Sequence, residues 1–312
     1  MINYKMRVII LLSILHLGAF QLIHSQWIQY HIGNTHGIQG TLVSSGLEDK
    51  NGNLWFGTDQ GVTNYHPNLG IWNTYDVSDG LQNSFVYQVF EDQEGGIWVT
   101  TNGGGVSFYA NSNWFTFTMK DGLPYDIARA VTQTPDGTLW FGTYGKGICS
   151  YRKETGFRKF TGKGIDNCYV LSMLAVSDTV LLIGTLDEGL IRLHNNQVSL
   201  IQAENGLEGD RIFAVYKDQS GTIWIGTNEG VQQFNPVTNR MLPCPGTMQG
   251  KEVHSICENG AGDIIFAGAE RIYRFSKGSW SSWIPDNLNP PTSFYSAFFD
   301  HDDNEWFGLR QD

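Results

Sequence analysis

Three observations predict an all-β fold built from radially repeated, four-stranded units. A tryptophan-centred segment recurs at a fixed period, glycine and aromatic residues are abundant together, and charged residues are few. The 312 residues include 37 Gly, 10 Trp, 13 Tyr and 18 Phe, and 16% are charged. Average chains carry roughly 7% glycine, and an excess of glycine among aromatic residues favours short strands and tight turns over helices. The length suits one large β domain and buries an ample core. Aromatic and β-branched residues continue to the end of the chain, which excludes disorder. The 20 Lys+Arg against 31 Asp+Glu leave a net charge of −11. Such a surface repels phosphate backbones and anionic membranes, so a nucleic-acid partner is not expected.

The elements are taken in chain order. Residues 1–25 read as a secretory signal peptide, with Lys5 and Arg7 ahead of the apolar residues 8–20 and Ser25 before Gln26 at the cleavage point. That apolar stretch is shorter than the roughly 20 residues of a membrane span. No cysteine follows it to carry a lipid, and no second run of spanning length occurs. The expected product is an exported, periplasmic or extracellular chain of residues 26–312, touching a membrane only through the leader or through sequence beyond residue 312. Cys149, Cys168, Cys244 and Cys257 are too few for a disulfide scaffold, and their spacing leaves the pairing open. Buried free thiols are expected. No Cys-x-x-Cys pair suggests zinc or redox chemistry, and no cofactor is expected.

The repeat follows. Gly-x-Leu-Trp-Phe-Gly-Thr spans residues 52–58 and 137–143, and a variant with isoleucines spans 221–227. Looser copies centre on Trp98, Leu182, Ile265 and Trp306. The central positions 55, 98, 140, 182, 224, 265 and 306 are separated by 43, 42, 42, 42, 41 and 41 residues. Within each repeat an apolar inner strand A ends near an acid, as in residues 85–92, 212–218 and 294–300. Strand B is the tryptophan segment. Strand C follows a glycine, as in residues 61–65 and 147–151, and strand D carries paired bulky residues such as Trp72 and Tyr75. A Gly-Leu or Gly-Ile turn, as at Gly80-Leu81 and Gly164-Ile165, leads to the next A strand.

Four-stranded units repeated with this period signify a β-propeller. A central strand covered on both faces is apolar throughout and does not alternate, as in Leu54-Trp55-Phe56 and Ile223-Trp224-Ile225. The following glycine lets neighbouring elements approach closely. The Asp and Gly between A and B, as in Asp49 and Gly52, suit a tight turn that hydrogen-bonds its own backbone. After the leader the chain opens with a D strand, residues 27–30, and closes with A and B strands, residues 294–300 and 305–309. The prediction is a seven-bladed propeller of about 42-residue blades whose last blade lacks its C strand and is closed by the N-terminal strand.

The frame Asp-x-x-Gly-x-Leu-Trp-Phe-Gly-Thr-x-x-Gly-Val, followed by a paired-aromatic strand and Asp-Gly-Leu, resembles the two-component regulator propeller repeat over essentially all of residues 27–312. The resemblance implies an extracytoplasmic sensor propeller of hybrid two-component systems, without catalytic output of its own, able to form a homodimer through its parent sensor. The membrane helix, kinase and regulator modules of that family are not in this sequence.

In a propeller the D–A and B–C loops surround one mouth of the central channel, and here they vary while the strands do not. The D–A side offers Tyr125, Asp126, Tyr169, Asp210 and Arg211, and the B–C side offers Tyr144, Lys146, Asp187, Asn228 and Glu229. Rings for stacking, mixed with amides and charges for hydroxyls, suit a small-molecule or oligosaccharide ligand. Sequences of the type H-E-x-x-H, G-x-S-x-G and the P-loop do not occur. Residues 300–305 have the acids of a calcium loop without its spacing and read as a solvated turn. Glu252 and His254 alternate onto one side of an A strand, with Glu270 in the same blade's B–C loop. That set is loosely similar to streptogramin lyases, which use His, Glu and magnesium, although the Pro-rich strand starts of those enzymes are missing here. A third alternative is a scaffold for protein partners, which needs an exposed apolar face.

Overall fold

The computed structural model describes residues 10–14, 26–30, 37–243, 245–285, 288 and 293–310. Cys244 lies outside them. Six sheets are formed by consecutive chain, each of four antiparallel strands in the order A-B-C-D. The first blade comprises Val43–Glu48, Leu54–Thr58, Gly61–His66 and Ile71–Tyr75. The inner strands of the next five are Val86–Glu91, Ala128–Gln133, Val170–Ser177, Ile212–Lys217 and Val253–Glu258. Three short 3₁₀ turns, at Val77–Asp79, Met119–Asp121 and Ala203–Asn205, are the only helical segments among the described residues. Each ends on a left-handed glycine, Gly80, Gly122 or Gly206, and the leucine after it is buried.

The seventh sheet corrects the expectation. Its order is Gln26–Tyr30, Ile10–Ile14, Glu305–Arg310, Ser293–Phe299, so both chain ends build it. The N-terminal D strand closes the sheet as expected, but the place reserved for a missing C strand is held by Ile10–Ile14, with Leu12 opposite both Ile28 and Trp306. Six blades are therefore complete and contiguous, and the seventh sheet is a composite. Residues 10–14 lie in the stretch read as a signal peptide. A chain cleaved after residue 25 has no such strand to offer.

The ring closes by the contacts that join its contiguous blades. The turn after one inner strand donates a backbone N–H to a side chain of the next blade: Lys50 to Glu91, Gln93 to Gln133, Gln219 to Glu258, and across the closure His301 to Glu48. Ser296 Oγ likewise donates to the Val43 carbonyl. Among the described residues, seven apolar clusters fill the seams between neighbouring sheets. Strand B supplies both sides of each seam, so Leu54–Thr58, Ile97–Thr101 and Ile223–Thr227 are buried at every residue. Where strand B carries glycine, the packing is closest, and Thr100 and Ala267 hold that position in the second and sixth blades. A Cβ on Gly142 would lie 2.3 Å from Val170 Cγ1 of the next inner strand.

The acids between A and B act as inferred. Asp49 Oδ1 accepts from the Asn51 and Asn53 N–H groups, and its Oδ2 accepts the Trp55 indole N–H at 2.8 Å. Asp92, Asp218 and Asp300 hold Trp98, Trp224 and Trp306 in the same way. Asp300 is fully engaged in capping its own turn, which is the solvated turn expected at residues 300–305.

Candidate ligand site at the channel mouth

Every inner strand slips register by one residue at the same place. The slips fall between Val43 and Ser45, Val86 and Gln88, Ala128 and Ala130, Val170 and Ser172, Ile212 and Ala214, Val253 and Ser255, and Phe294 and Ser296. Such a bulge leaves its extra residue out of the ladder and re-aims its side chain. The seven residues so released are Ser44, Tyr87, Arg129, Leu171, Phe213, His254 and Tyr295. All seven line one cavity of about 440 Å³ that continues into a deeper one of about 230 Å³ on the channel axis.

One pleat above this ring lie Leu42, Phe85, Ile127, Tyr169, Arg211 and Glu252. Their carbonyls accept the N–H that follows strand B, from Asp59, Asn102, Tyr144, Leu186, Asn228 and Ala269. This repeated bond ties each B–C loop to the start of its own inner strand and builds a collar around the channel.

Aromatic rings dominate the channel wall. The Arg129 guanidinium lies 4.8 Å from the Tyr87 ring centre and 5.7 Å from that of Tyr144, within cation–π range. Burial presses the Arg129 pKa below the usual arginine range, against the opposing influence of the Tyr87, Tyr144 and Tyr295 phenols. Burial also raises the Tyr87 phenol, with Arg129 resisting. Across the channel, His254 stacks on Tyr295 at 4.7 Å between centroids and meets Phe213 edge-on. Its Nδ1 lies 3.0 Å from the Phe294 carbonyl oxygen and its Nε2 2.8 Å from Glu252 Oε1.

The loop residues expected to bind ligand divide into two groups. Tyr144 and Tyr169 come together, ring centroids 4.8 Å apart, beside Arg129. Arg211 holds a collar position through its backbone and is exposed. Tyr125, Lys146, Asp187, Asp210 and Glu229 stand on the surrounding loops and do not line the cavity. Asp126 and Asn228 work structurally: Asp126 Oδ1 accepts the Met119 N–H, and Asn228 Oδ1 accepts the Arg211 N–H. Ser44, Tyr87, Arg129, Leu171, Phe213 and Tyr295 were not anticipated. Their spacing repeats that of the tryptophan positions, and stepping the period along strand A would have found them.

The set expected for metal chemistry forms only in part. Glu252 and His254 pair, but Glu270 is exposed and makes no hydrogen bond to either among the described residues. No group of three His, Cys, Asp or Glu side chains there is arranged to hold a metal ion. Cys149, Cys168 and Cys257 are free thiols. Burial pushes Cys149 and Cys257 above the usual thiol range and Cys168 up to about 12. No helix among the described residues is long and apolar enough to cross a membrane.

Comparison with solved structures gives the fold. The extracellular domain of the hybrid two component system BT3049 from B. thetaiotaomicron superposes with a TM-score of 0.76 at 22% identity, over 89% of this chain and 40% of that one. The extracellular domain of the hybrid two component system BT4673 from the same organism gives a TM-score of 0.72 at 15% identity, over 87% and 40%. Virginiamycin B lyase from Staphylococcus aureus gives 0.68 at 13% identity, over 88% and 96%. The chain thus spans 40% of the length of the two hybrid-system domains. Comparison with curated proteins returns no match. The model of the two component regulator propeller matches residues 39–60, 80–103, 122–145 and 206–229. Those segments run through the A–B turn, strand B and the B–C loop of four blades, so four of the repeats match the two component regulator propeller repeat.

Proposed function

We propose that this chain is the extracytoplasmic, ligand-receiving propeller of a two-component sensor-like protein. A carbohydrate-type ligand is held at the channel mouth, without chemical turnover. The observation that carries the reading is the convergence of seven bulge residues on one cavity, where rings from Tyr87, Phe213 and Tyr295 stand beside the polar groups of Ser44, Arg129 and His254. Aromatic faces with a few converging polar groups are what a sugar-like ligand requires. The collar residues Tyr144, Tyr169 and Arg211 make the first contact, and Tyr125, Asp126, Lys146, Asp187, Asp210, Asn228 and Glu229 form the outer approach. The repeat family and the similarity to domains named as extracellular parts of two component systems support a sensor role. Residues 1–25 act as the export leader in this reading, and any homodimer forms through the longer parent sensor.

Thermal melting in the presence of an oligosaccharide panel tests the proposal, because binding to the folded state raises the melting temperature by mass action, about 2.7 kcal/mol at a hundredfold excess over Kd. Tyr87→Ala with Tyr295→Ala is expected to abolish the shift while preserving a cooperative melt, and Lys146→Ala to leave most of it. A shift that survives the double substitution, or no shift with any sugar on a cooperatively melting protein, overturns the reading.

A further inference from the structure

The channel mouth holds an arginine without an acid partner. The chain carries −11 overall, yet Arg129 lines the cavity and Glu252 is its only acid among the described residues. Glu252 is already committed to His254. Among those residues no carboxylate lies within ion-pair distance of Arg129, and the hydrogen bond of its guanidinium goes to the Tyr87 phenol. Arg152 pairs with Asp136 and Arg274 with the buried Glu305, whereas Arg129 stands among tyrosine rings.

A guanidinium withdrawn from water without an acid partner is costly. It presents five N–H donors in a fixed planar fork, which matches a carboxylate in bidentate fashion. The tyrosines around Arg129 leave most of that fork unanswered and supply flat faces beside it.

Building on the channel reading above, we infer that the ligand is a carboxylate-bearing, ring-shaped molecule of the acidic-sugar class, its carboxylate seated on Arg129 and its ring against the Tyr87 and Tyr144 faces. Desolvation of Arg129 works in the same direction, since a bound anion offsets the cost that burial places on the charged guanidinium.

Isothermal titration of the whole chain with galacturonate oligomers, with neutral galactose oligomers of the same length, with benzoate and with sulfate tests this. The acidic oligomers are expected to bind at least about tenfold tighter than the neutral ones, with affinity falling as salt rises. Arg129→Gln is expected to lower their affinity by about 10- to 100-fold, and that of the neutral oligomers by a clearly smaller factor, with Arg129→Lys intermediate. Binding of benzoate alone makes the ligand a free organic acid, and binding of sulfate alone makes it a tetrahedral anion; either overturns the acidic-sugar class. Equal affinity for acidic and neutral oligomers, or an unchanged Arg129→Gln protein, overturns the anion inference while leaving the channel reading standing. Absence of all sugar binding overturns both.

Discussion

Trp140 is a tryptophan whose partner is missing. In four repeats an aspartate six residues before the strand-B tryptophan accepts its indole N–H at 2.7–2.8 Å. In the third blade Thr134 stands at that position, and Trp140 Nε1 is buried without a hydrogen bond. A buried donor left unpaired costs about 1–3 kcal/mol. Transplanting the turn of the first blade, Thr134→Asp with Asp136→Asn, is expected to stabilise the protein by about 1 kcal/mol, read as a rise in the urea midpoint at constant slope. Loss of the exposed Arg152–Asp136 pair subtracts little. An unchanged or lowered midpoint would show that the indole finds its partner elsewhere. Asp218 also contributes to the acid limit. Burial alone would raise the Asp218 carboxyl, but hydrogen bonds from Ser220, Trp224 and Thr222 outweigh it and hold it below the usual range. Its stabilisation is therefore complete above the unfolded carboxyl pKa of roughly 3.9 and is lost as pH falls through the lower folded value.

At the scale of the strand, the inner elements were legible in outline and illegible where they matter. Seam burial imposes the same apolar run on strand B in blade after blade, with glycine, Thr100 or Ala267 after it, so the period can be read even where Leu182 or Ile265 replaces tryptophan. Alternation correctly put Glu252 and His254 on one side. The bulge residues carry no common chemistry: serine, tyrosine, arginine, leucine, phenylalanine, histidine and tyrosine share only a position. Nothing in residue type marks them, and the polar loop residues attracted attention instead. Register slips are set by how neighbouring blades pack, which single-strand patterning does not encode. The strand-B glycine does belong to the legible part, and its role is open to a direct test. Gly142→Ala should cost about 1–3 kcal/mol through overpacking against Val170. The same change at Gly156, where a Cβ meets nothing but φ is +68°, reports backbone strain alone. A cost at Gly142 no greater than at Gly156 would remove close packing as the reason for the glycine.

Over the whole ring, the joint between the composite sheet and the first blade adds a histidine–carboxylate pair to the seam contact. His301 donates its backbone N–H and offers its ring Nδ1 to the Glu48 carboxylate. Hydrogen bonding to Glu48, with the charges of Glu48 and Asp302, raises the His301 pKa above its ordinary value. The sign follows from linkage: the contribution is complete below the unfolded histidine pKa of roughly 6.5 and is lost as pH rises through the raised folded value. The melting temperature should therefore fall across that interval in the native chain, and His301→Gln should flatten the fall. A slope unaffected by the substitution would assign the pH response to other groups. The other turns place backbone donors on Glu91, Gln133 and Glu258, so the closure is the one among these junctions that adds a histidine to the contact.

The bulges have a consequence for how such a protein diversifies. A residue held out of the strand ladder can change its chemistry without disturbing a backbone pairing, and the seven positions at one height along the channel are independent of one another in the chain. Recognition can then drift one blade at a time, by point substitution at residues 44, 87, 129, 171, 213, 254 and 295, while the seams that keep the ring folded stay under separate selection. Descendants of this scaffold with altered appetites would differ first at those seven addresses, and least in the tryptophan segments between them.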